Sequence, residues 1–253
     1  MPGLLIAAAL LFDPARTEMI DLTHTFDEKT LYWPTSPTGF EHKMLTKGKT
    51  QGGWFYSAAA FCGPEHGGTH LDAPIHFSEG GHSSATVPLD KLVAQAIVID
   101  VSAKADVDGD YRLTVADIEA WEKAHAKIAP GTIVLLRTGW SNRYPDRKRY
   151  FGDDTPGDAS KLHFPSFGLE AVKFLVEERN VAAIGVDTAS IDHGPSKDFV
   201  VHQLTAAANV PAFENLTNLD KLPDEGAIVV ALPMKIGNGT GGPLRAIALL
   251  SKK

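Results

Sequence analysis

The sequence has little of what marks several large classes of protein. Cys62 is the only cysteine among 253 residues, so no intrachain disulfide can form and nothing indicates an oxidising compartment. No apolar run is long enough to span a bilayer, because the best candidate, residues 4–12, is far too short. Positive charge is also scarce, since 24 Lys and Arg against 31 Asp and Glu give a formal net charge of −7. That balance argues against nucleic acid or an anionic membrane surface as a partner.

The composition is that of an ordinary globular chain. With 43% hydrophobic and 22% charged residues, the chain is long enough to bury one large core. We find no internal repeat and no low-complexity segment. The apolar run in residues 1–18 lacks the preceding Lys or Arg and the clear cleavage site of a signal peptide. We therefore expect a cytoplasmic protein in which residues 1–18 form an N-terminal extension and residues 19–253 form a single domain.

Hydrophobic patterns predict eight strands and three helices. Strands are predicted over residues 19–24, 40–46, 55–61, 96–101, 132–138, 182–187, 227–235 and 244–250. Several of these are near-continuous apolar runs, a pattern typical of strands covered on both faces. Helices are predicted over residues 114–126, where Asp117 completes a variant capping box with Thr114, and over 169–179 and 200–208. The mixture predicts an α/β or α+β fold with a mixed sheet.

One short segment, EHGGTHLDAPIHF, concentrates side chains that bind metals. It places His66, His70, Asp72 and His76 within eleven residues, all at even positions. In an extended chain His70 and Asp72 share a face and can converge on one ion, but the whole set requires the chain to bend. The two glycines at 67 and 68, and Pro74, are residues at which it can do so. Imidazole and carboxylate together suit zinc, manganese or iron.

Aromatic residues precede this segment in loop-rich sequence. Trp33, Trp54, Phe55 and Tyr56 can be core or loop anchors, or they can line a flat apolar pocket for a small organic ligand. We take Trp33, Trp54 and Phe55 as candidates for substrate binding.

Two other motifs are less informative. The glycine-rich tract of residues 237–242 suggests a phosphate loop, but Pro243 and a strand follow it where a helix would be required. We interpret the tract as a tight connection between strands. Asp187, Ser190, Asp192 and His193 contain the side chains of a serine triad, yet triads are assembled across a fold and not along it. We interpret this group as residues that support a site or stabilise a loop.

The segment HGGTHLDAPIHF resembles the signature of the cyclase family of metal-dependent hydrolases. Further landmarks of that family are GVDTASIDH from Gly185, His202 with Glu214 twelve residues later, and the closing PMKIGNGTGGPLR from Pro233. The resemblance runs from about Met19 to the end of the chain. It implies a swivelling β/β/α fold and a homodimer or homotetramer. It also implies one of the family's activities, which are kynurenine formamidase, isatin hydrolase and trans-dienelactone hydrolase.

The resemblance assigns roles to individual residues. The positions that match metal ligands are His66, His70, Asp72, His202 and Glu214. Asp72 and Glu214 match bridging carboxylates, and His76 matches the general acid/base. Phe213, beside Glu214, is a further candidate for substrate binding. Isatin-cleaving members use one ion and lack the later glutamate, so Glu214 favours two ions, Zn²⁺ or Mn²⁺.

These assignments predict a hydrolase in which metal-activated water cleaves an aryl formamide such as N-formylkynurenine or a cyclic amide such as isatin. A lactone of the dienelactone type is the alternative substrate. His70, Asp72 and His202 also imitate the triad of a non-haem iron oxygenase, although that triad leaves Glu214 unexplained. A non-catalytic metal-binding protein is the remaining alternative, but structural zinc sites are closed and usually contain cysteine.

Overall fold

This computed structural model describes residues 13–252 of the chain. These residues contain twelve strands and five α-helices. The strands are β1 (Thr17–Asp21), β2 (Glu41–Lys49), β3 (Phe55–Cys62), β4 (His70–Asp72), β5 (Val93–Asp100), β6 (Arg112–Leu113), β7 (Ile133–Arg137), β8 (Ser166–Phe167), β9 (Ala183–Val186), β10 (Ala212–Glu214), β11 (Ala227–Pro233) and β12 (Gly241–Ser251). The helices are α1 (Ser102–Val107), α2 (Val115–Ala124), α3 (Arg147–Phe151), α4 (Leu169–Lys173) and α5 (Val200–Ala207). A π-helical turn, Phe174–Glu178, continues α4.

Eight strands form one mixed sheet that closes on itself. Their order is β1-β12-β11-β5-β7-β9-β10-β4, and β4 pairs a second time with the start of β12. The strands β5, β7, β9 and β10 run parallel, whereas the β4, β11 and β12 pairings are antiparallel. Closure leaves β1 outside the ring, paired only with β12. The expected mixed sheet with flanking helices is confirmed, and the barrel-like closure is the feature that the sequence did not reveal.

Alternating side chains along the parallel strands build two layers of core. On β5, Ala96 and Val98 belong to the cluster inside the closed sheet, together with residues of β7, β11 and β12. Ile97 and Ile99 point the other way and join the helical layer. This two-sided burial explains why the strand reads as an unbroken apolar run. In the helical layer, the Trp121 indole donates to the Val98 carbonyl at 3.0 Å and fixes α2 on the sheet.

The predicted capping box at the start of α2 is confirmed. The Thr114 hydroxyl accepts from the Asp117 amide at 3.2 Å, and the Asp117 carboxylate accepts from the Thr114 amide at 2.8 Å. Two amides that the helix leaves without partners are therefore satisfied.

All eight predicted strands and all three predicted helices are present, with ends shifted by a few residues. The sequence did not indicate α1, α3 or the short strands β6, β8 and β10, because elements of two to six residues carry no measurable periodicity. β1 begins at Thr17, inside the predicted extension, and residues 1–12 lie outside the described part of the chain. Within residues 13–252, no helix has the length and apolar character needed to cross a membrane.

Candidate metal centre

The register between β4 and β10 places two predicted ligands side by side. Glu214 pairs with His70, and Ala212 pairs with Asp72. Because side chains alternate along a strand, His70, Asp72 and Glu214 share the outer face of the closed sheet, where directly opposite side chains are close neighbours. The predicted bends are present on both sides of β4. Gly68 adopts a φ of +55°, and a 3₁₀ turn, Pro74–His76, begins after the strand.

Asp72 is the centre of the cluster. Its Oδ1 lies 2.7 Å from Nδ1 of His66 and 3.1 Å from Nε2 of His70. Its Oδ2 lies 3.1 Å from Nε2 of His202, which α5 brings in from the opposite side. The two oxygens of one buried carboxylate therefore face separate groups of histidines, an arrangement that suits a bridging ligand.

Glu214 also contacts two buried histidines, His70 and His202, and it faces each with a different oxygen. Its Oε1 lies 3.2 Å from Nε2 of His202, and its Oε2 lies 3.6 Å from Nε2 of His70. The backbone amide of Ile191 donates to Oε1 at 2.8 Å, which orients the carboxylate. The structure thus brings together all five residues that the resemblance assigned as metal ligands, although they are as far apart in sequence as His66 and Glu214.

Hydrogen bonds fix which ring nitrogen of two histidines faces the cluster. Nδ1 of His70 lies 3.0 Å from the carbonyl of Gly68, so it must carry the proton. Nδ1 of His202 lies 2.7 Å from Oδ2 of Asp192 and donates to it in the same way. In both rings Nε2 is therefore the nitrogen that faces the carboxylates, and in the neutral ring it bears the lone pair that a metal ion requires.

Charge within the cluster is balanced by protons on the imidazoles. Burial would lower the pKa of His202, but its hydrogen bonds to Asp192, Asp72 and Glu214 hold that pKa well above the ordinary value. The pKa of His70 is also raised, because Asp72 and Glu214 outweigh the effect of burial. Burial would raise the pKa of Asp72, yet the surrounding imidazoles keep it well below its usual range. A bound cation can replace these protons and neutralise the same carboxylates.

The donor set fits a transition-metal centre. Two overlapping groups bring one ligand atom per residue within 4.8 Å of one another, and they are His66 with Asp72 and His76, and His70 with Asp72 and Glu214. Imidazole nitrogens with carboxylate oxygens are ligands that zinc and manganese accept, and cysteine is not among them. Three imidazoles around two carboxylates exceed what a single tetrahedral ion needs.

His76 lies at the edge of the cluster. Its ring stacks on that of His66 with the centroids 3.9 Å apart, and it packs edge-on against Phe77. The groups packed around the ring partly desolvate it and lower the pKa of His76 to about 4, an effect strengthened by the charges of the other imidazoles and opposed by Asp72, although one side of the residue is open to solvent. The ring is therefore neutral at physiological pH and can accept a proton.

An aromatic cavity of about 220 Å³ opens above these groups. Its floor is the cluster, with Ser190 and Asn215 as further polar groups. The apolar wall consists of Leu31, Tyr32, Trp33, Phe77, Phe151 and Phe199. Within the described part of the chain, no Lys or Arg lines it. Phe199 adopts a φ of +52°, which is unusual for a bulky residue, immediately before α5.

The predicted substrate-binding residues are distributed differently. Trp33 lines the cavity. Trp54 and Phe55 do not, because they lie on the separate β2–β3 hairpin and are each 63% exposed. Phe213 is fully buried inside the closed sheet, since it alternates with Ala212 and Glu214 on β10. Of the four candidates, the structure thus brings only Trp33 to this cavity, and a substrate-binding role for the other three stays a prediction.

Several cavity residues carried no signal in the sequence. Phe77 is adjacent to His76 and could have been inferred from it, whereas Phe199, Phe151 and Tyr32 come from loops or helices far away in the chain. Two residues of the group from Asp187 to His193 lie at the site, as expected for residues that support one. Asp192 orients His202, and Ser190 lines the cavity. The glycine-rich tract connects β11 to β12, as predicted, and contributes Thr240, whose hydroxyl lies 2.8 Å from Nε2 of His66.

A closed mixed sheet that carries a buried histidine–carboxylate cluster beneath an aromatic cavity has the architecture of a metal-dependent enzyme. The chain belongs to the Cyclase family, which residues 20–193 match. It is 37% identical over 196 residues to the isatin hydrolase of Roseibium aggregatum, covering 74% of this chain and 73% of that protein. It is 30% identical over 227 residues to the kynurenine formamidase of Sphingopyxis alaskensis, covering 90% and 95%. The solved structure of isatin hydrolase A from Ralstonia solanacearum superposes with a TM-score of 0.81 at 34% identity, over 93% and 92% of the chains.

Proposed function

We propose that the protein is a metal-dependent hydrolase that cleaves the carbon–nitrogen bond of a small, uncharged aromatic amide. The observation that carries this proposal is the position of Asp72 and Glu214, each of which faces both His70 and His202 beneath an aromatic cavity. The relatives named isatin hydrolase and kynurenine formamidase support the reaction class.

Two ions, Zn²⁺ or Mn²⁺, are the cofactors that we propose. His66, His70 and Asp72 would hold one, and Asp72, His202 and Glu214 would hold the other. A divalent ion in such a site polarises a carbonyl oxygen and makes water a competent nucleophile near neutral pH. The opposite orientation of the two oxygens of Asp72 supports this pairing.

His76 is the proposed general acid/base. Its neutral ring at the edge of the cluster can take a proton from the attacking water and return it to the leaving nitrogen. Trp33 and Phe199 hold the aromatic part of the substrate, because their rings contact each other edge to face at 6.0 Å on one side of the cavity. Their apolar surface also excludes bulk water from the reacting carbonyl.

Two observations favour different substrates. Glu214 and a second ion match the formamidase-like members, whereas the lining of the cavity favours a cyclic amide such as isatin over N-formylkynurenine. We give the lining more weight, because it contacts the substrate directly. N-formylkynurenine carries an α-carboxylate and an ammonium group, and no Lys or Arg among the described residues lines the cavity to pair with the carboxylate. A buried charge without a partner is costly. The volume of about 220 Å³ also lies below the range of about 300–1,000 Å³ that is usual for larger ligands, and so suits a compact bicyclic molecule.

We propose a homodimer or homotetramer as the assembly. The β2–β3 hairpin is a separate two-stranded sheet, and a hairpin alone is marginally stable in water. It exposes Trp54, Phe55, Tyr56 and Phe61, which makes an apolar surface suited to a second copy of the chain. Light scattering of the purified protein, with Phe55→Ser and Tyr56→Ser as paired variants, is expected to show an oligomer that the variants weaken. A monomeric parent protein would contradict this assembly.

The experiment that tests the function is a substrate panel. The metal-stripped protein, with zinc or manganese added back, is assayed on isatin, N-formylkynurenine and a dienelactone. We expect metal-dependent hydrolysis with the highest kcat/KM on isatin. A preference for N-formylkynurenine or for the lactone would contradict the proposed substrate class, and activity without metal would contradict the proposed chemistry.

A further inference from the structure

The glycine-rich tract of residues 237–242 lies directly against the metal centre, and two of its glycines make that approach possible. A Cβ at Gly241 would lie 2.6 Å from Cε1 of His66, and a Cβ at Gly239 would lie 3.1 Å from Oε1 of Glu65 and 2.5 Å from the Ser84 hydroxyl. The contacts below 3.0 Å leave no room for a Cβ unless a neighbouring atom shifts, and the 3.1 Å contact with Glu65 is tight. The tract is thus shaped around Glu65 and His66 rather than around a phosphate.

Glu65 holds the tract through a single carboxylate oxygen. Its Oε2 accepts from the backbone amide of Thr240 at 2.7 Å, from the hydroxyl of Thr240 at 2.7 Å and from the amide of Gly241 at 3.3 Å. An ionised carboxylate has no proton to donate, so the one hydroxyl proton of Thr240 must point toward Glu65. The hydroxyl oxygen is left with its lone pairs for any other partner.

That other partner is His66, whose Nε2 lies 2.8 Å from the Thr240 hydroxyl. Because the hydroxyl proton is committed to Glu65, Nε2 must be the donor in this contact and must carry the ring proton. The second nitrogen, Nδ1, faces Oδ1 of Asp72 at 2.7 Å. Nδ1 donates to this carboxylate when the ring holds two protons, and it bears the lone pair in the neutral ring that a metal ion requires. This is the reverse of His70 and His202, in which Nδ1 carries the proton and Nε2 faces the cluster.

We infer that Glu65 and Thr240 are positioning residues that hold His66 in its Nε2–H tautomer and so commit Nδ1 to a metal ion. A hydroxyl relays the effect of the carboxylate, whereas Asp192 acts on His202 directly. The glycine-rich tract thus delivers Thr240 to the far side of the His66 ring. The inference rests on the proposed metal centre, because a ligand role for His66 is part of that proposal.

The tautomer can be read directly in the zinc-loaded protein. Long-range ¹H–¹⁵N correlation spectra of protein labelled with ¹⁵N-histidine distinguish a protonated from a metal-bound ring nitrogen, and His66→Gln assigns the signals. We expect the proton on Nε2 of His66 and on Nδ1 of His70 and His202. A His66 ring with its proton on Nδ1 would overturn the inference while leaving the metal centre intact, and a protein that binds no zinc would overturn both.

Variants test the relay by metal affinity, measured by competition with a chromophoric chelator. Thr240→Val removes the acceptor, and we expect it to weaken zinc binding about 10–100-fold, as is usual for groups that orient a ligand. Thr240→Ser keeps the hydroxyl and is expected to restore the affinity to within about threefold of the parent. Thr86→Val, which removes a hydroxyl that bonds only near Ser83, is the matched control.

Equal zinc affinity in Thr240→Val and the parent would overturn the inference, as would a Thr240→Ser protein no better than Thr240→Val. Glu65→Ala provides an independent variant if Thr240→Val does not fold. Without the carboxylate the hydroxyl proton of Thr240 is free to turn to His66, and we expect a mixture of His66 tautomers in the spectrum. A single Nε2–H tautomer in Glu65→Ala would contradict the relay.

Discussion

The imidazole of His76 stacks on the imidazole of His66, with 3.9 Å between the ring centroids and 20° between the planes. His66 belongs to the cluster of proposed metal ligands through its contact with Asp72, and the stacking holds His76 beside that cluster. Stacking fixes a ring in place without using its nitrogens. A ring placed in this way can exchange protons with a substrate and still stay in register with the metal ligands.

His76→Ala is expected to retain bound metal while kcat falls roughly 10²–10⁴-fold, the usual loss when a general acid/base is removed. Metal content by elemental analysis and steady-state kinetics check both parts. His163→Ala serves as control, since His163 pairs with Asp110 on the surface, away from the cavity lining. A His76→Ala protein that emerges without metal would identify His76 as a ligand, a role compatible with its place in the group of His66 and Asp72.

Asp72→Ala is expected to lose both metal and activity, because Asp72 contacts His66, His70 and His202 alike. Its removal also leaves buried imidazoles without their acceptor, so the metal-free variant should unfold at a lower temperature than the metal-free parent. Elemental analysis and thermal unfolding in the presence of a chelator measure the two effects. Full activity in a metal-free Asp72→Ala protein would refute the proposed chemistry.

Asp192→Ala should loosen His202 and weaken the binding of one ion about 10–100-fold, the typical effect of losing the group that orients a metal-bound histidine. Asp192 accepts from Nδ1 of His202 at 2.7 Å and from the amides of Val201 and His202 at 3.1 Å, so it fixes both the ring and the start of α5. Titration of the stripped protein with zinc measures the loss. Asp198→Ala, in the same loop but exposed, is the control, and equal losses in the two variants would show that the effect is only structural.

Metal binding is expected to release protons and to strengthen as the pH rises. The pKa values of His70 and His202 lie above the ordinary 6.5 in the metal-free protein, and a protonated imidazole cannot bind a metal.

The stability of the metal-free fold depends on pH in the opposite direction. A raised pKa stabilises the metal-free fold below 6.5, and this stabilisation is lost as the pH rises through the raised values. Calorimetry in buffers of different ionisation enthalpy should therefore detect proton release, and added metal should raise the melting temperature more at higher pH. Affinity independent of pH would contradict this account.

The sequence predicts the clustered histidines and carboxylates better than it predicts the lining of the cavity, and the reason is physical. His70 and Asp72 can be predicted because their spacing on one strand already places them on one face. Phe213 shows the limit of such reasoning, since a neighbour of Glu214 on a strand necessarily points to the opposite face. The cavity wall depends on where distant loops return, as with Phe199, and no local pattern encodes that.

Phe199 offers the sharpest test of how the cavity selects its substrate. The residue adopts a left-handed backbone conformation with a φ of +52°, a state that costs roughly 1–2 kcal/mol for an L-residue with a side chain. Its ring contacts Trp33, Phe77 and His202 at centroid distances of 5.8–6.0 Å. The strained backbone therefore places an aromatic side chain beside the candidate metal centre.

Phe199→Ala and Phe199→Gly both remove this wall, and we expect each to raise KM for isatin about 2–12-fold, since the loss of an aromatic contact costs roughly 0.5–1.5 kcal/mol. Only glycine also relieves the backbone, so Phe199→Gly should resist urea better than Phe199→Ala by about 1 kcal/mol. Matched denaturation curves and Michaelis–Menten kinetics separate the two effects. If KM stays at the parent value in both variants, the ring does not touch the substrate and its unusual backbone serves only to begin α5.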